Sequence, residues 1–445
     1  MSPTVKTIIK ELGAGLILRR SSPEDAEALS AFCGEIHSEE AGVIDPLITA
    51  WTRDLLTRPH PRFHADDFTV IEESATGRII STLNLISQTW IYEGIPFDVG
   101  RPELVGTLPE YRNRGLIRLQ FDEIHRWSAE RGELVQAITG IPFYYRLFGY
   151  EMALDLDGAR SGFEVNVPLL PPGQSEPYTL RPAGEADLPF IAAVYEAGHR
   201  RYPIACVRDE AIWRYELQGR DPLVTQQLLI IEDPDGRSLG VIRHLPELGK
   251  RGGVTVTLYE LKPGSSWLEI TPSVIRHVWN VGQQYARQQG RPCSAFTFSL
   301  GEMHPVYEVL KERLPKILQS YAWFLRVSDL PRFIRHIAPA LEKRLAESYA
   351  CGYTGDVHMS FYRSGLKWSF EQGQLAGIEP WMPGQRELEG DIGFPGLTFL
   401  QLLFGYRSLE ELRHSFADVW WNSNETRALM EALFPKKPSQ VIGLS

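Results

Sequence analysis

At 445 residues the chain is too long for one compact core and fits roughly two to four domains. With 43% hydrophobic, 23% charged and 11% aromatic residues it has the make-up of a folded globular protein, which excludes disordered, collagenous and coiled-coil chains. Its 46 basic against 56 acidic residues give a formal charge of −10, an argument against a general nucleic-acid binder and a mild one for cationic ligands.

Leu18-Arg19, then Pro23-Glu24-Asp25 and Leu29, read as a strand, a turn and an entering helix. The same order returns as Leu180-Arg181, Glu185-Ala186-Asp187 and Ile191. Farther on, Val70-Ile71-Glu72 with Gly77-Arg78 is echoed by Ile230-Ile231-Glu232 with Gly236-Arg237, each a strand, a tight turn and a strand. Two matched features in the same order imply two related α/β units, about 15–165 and 178–330, joined by a linker carrying Pro168, Pro171, Pro172, Gly173 and Pro177. Beyond Asp329-Leu330-Pro331 no third copy follows. A helical stretch at 338–348, strands near 355–362 and 366–371, and helices at 398–404, 408–415 and 424–433 describe a separate α+β module.

The most informative segment is 103–118, a strand running into a basic, glycine-containing turn and then a helix. Leu116, Ile117, Leu119, Phe121 and Ile124 give that helix an apolar face. The unpaired N–H groups at its start, with Arg112, Arg114 and Arg118 beside them, suit a pyrophosphate, and Gly115 permits close backbone approach. A second element follows: a strand at 134–139, then Gly140-Ile141-Pro142-Phe143-Tyr144-Tyr145 and, four residues after Tyr145, Gly149-Tyr150. Solvated arginines and a packed tyrosine are the bland readings of these residues taken singly.

Together, Arg112-x-x-Gly115 after a strand and Tyr145 before Gly149-Tyr150 resemble the two signature regions of the GNAT acetyltransferases, whose usual turn is Q/R-x-x-G-x-G/A; Ile117 holds the last position here. Two such units followed by a sterol-carrier-protein-like (SCP2-like) domain resemble, over nearly the full chain, the Eis (enhanced intracellular survival) group of N-acetyltransferases, which also places a bulky residue there. The resemblance implies three domains: 1–165, catalytic and acetyl-CoA-binding; 178–335, GNAT-like and non-catalytic; and 336–445, SCP2-like with an active-site tail. It implies acetyl-CoA contacts at Val105, Gly106, Thr107, Arg112, Asn113, Arg114, Gly115, Leu116, Ile117, Arg118, Gly140 and Ile141, with Tyr145 as general acid and the terminal carboxylate of Ser445 as proton acceptor. It further implies a homo-oligomer, a hexamer, acting on an aminoglycoside, polyamine or lysine-like primary amine.

The residues themselves add to this expectation. A phenol of pKa about 10 can protonate a departing thiolate whose acid has pKa about 8.5, since the proton moves as sulfur gains charge. The tail 441–445 is apolar and uncharged, unusual for a free terminus, and an extended run of nine residues spans up to about 30 Å, enough to reach a neighbouring domain. Glu103 is the alternative base. The second unit has 254–267 where the first has its basic turn, with no arginines before Gly264, so it is expected to be scaffold and Tyr307 a packed aromatic.

Other features carry less. Glu35, Glu39, Glu40, Asp45 and Asp54 with Trp51 fall where the acceptor pocket is shaped in GNAT proteins, although a charged helix face explains them as well. His60 and His64 have helical metal-ligand spacing, but Pro59 and Pro61 break the helix, so no metal is expected. Cys33, Cys206, Cys293 and Cys351 form no C-x-x-C pair and read as free thiols. The longest apolar run, 394–406, is short and holds Gln401; with Trp420-Trp421 it reads as aromatic core or the wall of a lipid tunnel. No membrane span, signal peptide or nucleic-acid partner is expected, and a cytoplasmic location is. The rival function is a catalytically inactive CoA- or lipid-binding protein, which would need neither the arginine turn nor Tyr145.

Overall fold

The computed structural model describes residues 7–40, 42–384 and 389–443. They form a mixed α/β molecule built on three sheets. The first sheet runs Ile8–Gly13, Leu16–Arg20, Phe68–Glu73, Ile79–Tyr92, Ile95–Thr107, Val135–Ile138, Tyr321–Val327, Glu151–Leu156, with Ile204–Cys206 added to the far end of Ile79–Tyr92. Strand Ile79–Tyr92 is covered on both faces by the period-two rule: Ile80 and Ile86 join the core under helix Ala26–Ile36, Leu83 and Leu85 the core under helix Leu116–Glu130.

The second sheet runs Lys316–Leu318, Ala159–Gly162, Ala295–Phe298, Gly253–Leu261, Ser238–His244, Gln227–Glu232, Thr179–Pro182. The proline-rich linker divides the repeats in sequence, yet each sheet is completed by the other repeat. Ala159–Gly162 crosses into the second sheet, and Tyr321–Val327 inserts between two strands of the first, pairing Phe324 with Ile138 and Leu325 with Ala137. Both inserted ladders are antiparallel and bury their backbone groups, so the units share hydrogen bonds as well as apolar surface.

The repeat seen in sequence is a shared ion triplet. Arg19 donates two hydrogen bonds to Asp25, at 2.7 and 2.8 Å, and one to Glu72 at 2.6 Å. Arg181 does the same with Asp187, at 2.7 and 2.8 Å, and Glu232, at 2.8 Å. Each aspartate closes a 3₁₀ turn, Pro23–Asp25 or Glu185–Asp187, that leads into a helix.

In the third module, strands Gln374–Trp381, Gly365–Glu371, Gly355–Ser360, Ile392–Gly393 and Trp420–Trp421 form the third sheet. Helices Phe399–Leu403, Leu409–Ser415 and Asn424–Leu433 match the sequence reading closely. The helix expected at 338–348 begins earlier, at Leu330–Ala346, because Pro331 sits in its first turn, where no N–H is needed, and Asp329 caps it. Strand Gln374–Trp381 was not expected. Phe394, Phe399, Leu402 and Phe404 are core, continuous with Trp90, Tyr92 and Phe97 of the first unit, and the Tyr92 hydroxyl donates to the Leu403 carbonyl at 2.7 Å.

The two triplets differ in burial. Arg19 is 1% exposed and Arg181 42%. Arg19→Ala, which strands two carboxylates in the interior, is expected to cost about 3–5 kcal/mol, and Arg181→Ala about 1 kcal/mol or less. Urea denaturation of both variants, with intrinsic fluorescence, checks the difference; equal shifts in midpoint would contradict it.

Candidate active site

Strands Ile95–Thr107 and Val135–Ile138 run parallel but pair only at Val99 with Val135 and Gly100 with Gln136. Past those residues no ladder joins them among the described residues, and a cleft opens. The longer strand also bulges there: Thr82 faces Gly106 and Asn84 faces Glu103, leaving Leu104 and Val105 opposite Leu83 alone. Leu104 takes a left-handed φ of 53°, a conformation that L residues other than glycine adopt only under constraint. Gly106 has a packing reason: a Cβ would meet Ile36 Cγ2 at 2.8 Å.

The basic turn follows directly. Asn113 and Gly115 have φ of 62° and 76°, and Gly115 starts helix Leu116–Glu130 without a side-chain cap hydrogen bond. Among the described residues nothing lies within 4 Å of where a Gly115 Cβ would be. Arg112 Nε donates to the Thr107 carbonyl at 3.2 Å, Arg114 to the Glu110 carbonyl at 3.1 Å and Arg118 to the Leu147 carbonyl at 3.3 Å. The turn is thereby folded by its own arginines, and Arg112, Arg114 and Arg118 remain exposed. The helix buries Leu116, Gln120, Phe121, Ile124 and Trp127; Gln120, not Leu119, faces inward, donating to Thr69 and accepting from Ser81.

Strand Val135–Ile138 ends at Thr139 and Gly140. A Cβ on Gly140, whose φ is 117°, would lie 3.6 Å from the Tyr145 hydroxyl oxygen. Tyr145 is buried in the 3₁₀ turn Tyr144–Phe148, its ring against Phe121 and Phe324. Burial, then the Glu103 carboxylate and Tyr144, raises its pKa above the ordinary phenol value, so the phenol holds its proton. Ile141, Phe143 and Leu147 form an exposed apolar lip beside it.

Glu103 pairs with Arg101 at 2.6 Å on the same strand face. His37, the C-cap of helix Ala26–Ile36, lies beside Glu103 and Leu104; burial lowers its pKa against the pull of Glu103. Ser445 lies outside the described residues. The described part of the tail reaches this region: Val441 is buried, Ile442 packs on the second unit, and a Cβ on Gly443 would meet an Arg101 guanidinium nitrogen at 2.8 Å and the Trp323 ring at 3.1 Å. Arg208 donates to the carbonyls of Ile442, at 3.1 Å, and Gly443, at 3.0 Å. Sequence reading missed Arg101, His37, Arg208 and Trp323. Only Arg101, two residues before Glu103, left a local trace.

Three of the acidic residues at 35–54 have local partners. Glu39 pairs with Lys250 at 2.5 Å, Asp45 caps helix Pro46–Thr57, and Asp54 pairs with Arg58 at 2.8 Å. His60 accepts from the Arg62 N–H at 3.0 Å, and burial pushes it down to about 4.

The second unit repeats the scaffold with the cleft closed. Gly253–Leu261 and Ala295–Phe298 stay paired over four residues. Ser266 caps helix Trp267–Gln289 by accepting from Glu269, which adds a negative charge in the first turn. Tyr307 donates to the Phe298 carbonyl at 2.7 Å and accepts from Leu300 N–H at 3.2 Å, so its hydroxyl is spent on backbone.

Residues 38–153, which hold the parting strands, the basic turn and Tyr145, match the acetyltransferase (GNAT) domain family model. No match is found among curated protein sequences. Among solved structures, a GCN5-related N-acetyltransferase from Anabaena variabilis aligns with a TM-score of 0.65 at 15% identity, over 95% of this chain and 98% of that one. A conserved protein of unknown function from Enterococcus faecalis, described as a probable N-acyltransferase, gives 0.68 at 13%, over 97% and 100%. Eis1 from Mycobacterium abscessus gives 0.57 at 15%, over 95% and 98%. Residues 38–153 of the first unit are thus similar to the GNAT acetyltransferase domain, and the chain shares its fold with these structures over nearly its whole length.

Proposed function

We propose that the protein is an acetyl-CoA-dependent N-acetyltransferase of the Eis type, acting on a primary amine. The observation that carries this reading is the placing of a protonated phenol, Tyr145, at the mouth of the gap between two parting parallel strands, one of which leads directly into the basic turn. In the same reading the first unit is catalytic, the second is scaffold, and the third, SCP2-like module carries the tail.

The open N-terminus of helix Leu116–Glu130 and the left-handed turn at Asn113 and Gly115 fit a pyrophosphate: the N–H groups of 113–118 would hold it, with Arg112, Arg114 and Arg118 around it. Val105 to Thr107 and Gly140-Ile141 would line the pantetheine arm. Bound acetyl-CoA supplies an activated thioester carbonyl. Tyr145 donates its proton to the departing sulfur. The ammonium proton of the acceptor goes to a carboxylate, that of the Ser445 terminus or of Glu103, and the raised pKa of Tyr145 disqualifies the phenolate as base at neutral pH.

Three measurements test this. Tyr145→Phe is expected to lower kcat roughly 10²-fold or more with acetyl-CoA affinity nearly unchanged, since only the transition state uses the hydroxyl; Tyr144→Phe is the control, and equal losses in both would make Tyr145 a packing residue. Calorimetry is expected to give one acetyl-CoA per chain, abolished by replacing Arg112, Arg114 and Gly115 together, because the second unit's turn is capped by Ser266 and Glu269. Two sites would refute the division of labour. Amidating the terminal carboxylate is expected to cut turnover while leaving acetyl-CoA binding intact; full activity would transfer the base to Glu103, and Glu103→Gln would then carry the loss.

A further inference from the structure

Between the two units lies a cavity of about 300 Å³, separate from the basic turn. Arg101, Thr139 and Trp323 form the wall toward the first unit, and residues 440–443 of the tail close one side. Thr139 is the residue before Gly140, beside which the Tyr145 hydroxyl sits, and Arg101 is the ion partner of Glu103. Neither Tyr145 nor Glu103 lines the cavity, but it is walled by residues next to both, so an amine attacking between Tyr145 and Glu103 would stand at its edge.

Its far wall carries more guanidinium than carboxylate. Glu216 serves two arginines at once, one oxygen on Arg208 and the other on Arg243, the latter at 2.6 Å. Each of its oxygens therefore already takes one arginine. Arg220 lines the same wall and makes no ion pair or hydrogen bond among the described residues; its Nε and that of Arg208 are buried without a partner. Asp157, the other carboxylate lining the cavity, forms no ion pair with any of these arginines among the described residues. Nearby, Asp54 is already held by Arg58. Burial, with Arg208 and Arg220 alongside, brings the Arg243 guanidinium down to about 10 despite Glu216.

Arg220 feels Glu216 and Asp54 only at longer range, each already in a direct pair with another arginine; a partly buried guanidinium with no direct ion partner is costly, and its planar fork fits a carboxylate or phosphate in two-point contact. A polycationic amine entering this cavity would meet like charge instead. We propose that the cavity is the acceptor pocket and that it selects amines bearing an acidic group: the amino end lies at Glu103 and Tyr145, and a carboxylate or phosphate lies on Arg220, with the free Nε of Arg208 beside it. This deepens the acetyl-transfer reading and rests on it. It also reverses the expectation, drawn from resemblance and net charge, of a cationic acceptor.

The test compares matched amines by CoA release: O-phosphoethanolamine against ethanolamine, and 5-aminopentanoate against 1,5-diaminopentane. The acidic member of a pair is expected to show kcat/KM about 10- to 100-fold above its partner, the range of one or two charge-assisted hydrogen bonds, and the better pair identifies phosphate or carboxylate as the natural group. Arg220→Gln, which leaves the Arg208–Glu216–Arg243 triplet intact, is expected to raise KM for the acidic amine about tenfold, a loss the conservative Arg220→Lys partly restores. Equal rates, or preference for the diamine, would overturn the proposal while leaving acetyl transfer standing. If no amine is acetylated, the acetyl-transfer reading falls, and calorimetry with O-phosphoethanolamine decides the pocket separately: binding lost in Arg220→Gln supports it, absence of binding refutes it. Binding that appears only after the terminal carboxylate is amidated would make the chain's own end the occupant and would also refute it.

Discussion

The candidate site depends on two parallel strands that pair for two residues and then part. Had Ile95–Thr107 and Val135–Ile138 stayed in register, their backbone groups would be consumed by each other, as they are over four residues in the second unit. Parting frees them on both sides of a cleft. The bulge at Leu104 turns the longer strand, placing Arg101 and Glu103 on one side of the irregularity and the run into the basic turn on the other. Tyr145, held by Phe121 and Phe324, stands at the mouth of the same gap.

The inserted strand Tyr321–Val327 explains how such a gap is tolerated. It pairs with Val135–Ile138 on the side away from the cleft, so the short strand keeps one complete ladder although it loses most of the other. Its side chains also furnish parts of the site: Phe324 supports Tyr145, and Trp323 faces the cavity and the tail. The second unit is therefore more than a passive copy. It supplies the strand that steadies the cleft and the arginines of the far cavity wall, while the end of its own long strand carries a polar cluster of Glu260 with Arg201, at 2.6 Å, and His304. The same fold yields an open site or a polar cluster according to which side chains meet at the strand ends.

Charge at the junction of the units follows a similar logic. Glu216 balances only part of the positive charge of Arg208, Arg220 and Arg243, and Arg208 spends its Nη2 donors on the tail carbonyls. One buried residue thus links the second unit, the tail and the cavity. The tail needs such a clamp, because the apolar side chains of Val441 and Ile442 alone specify burial but not direction.

What the sequence by itself determined was whatever lies close together along the chain. Arg112 to Arg118 and Tyr145 to Tyr150 are each within one turn, and the repeat was visible because Arg19 with Asp25 and Arg181 with Asp187 close the same local turn, six residues apart in both copies. The helices of the third module were legible for the same reason, their caps at Ser408 and Ser423 being local signals. Tertiary structure decided the rest. The exchange of Ala159–Gly162 and Tyr321–Val327 between sheets joins residues more than 100 positions apart, and the bulge at Leu104, the pairing in the second unit and the arginine wall depend on a partner strand or on ion pairs across separate elements. Strand register and ion pairing across such distances leave no periodicity in sequence, because a strand's pattern records which face is buried and not which neighbour buries it.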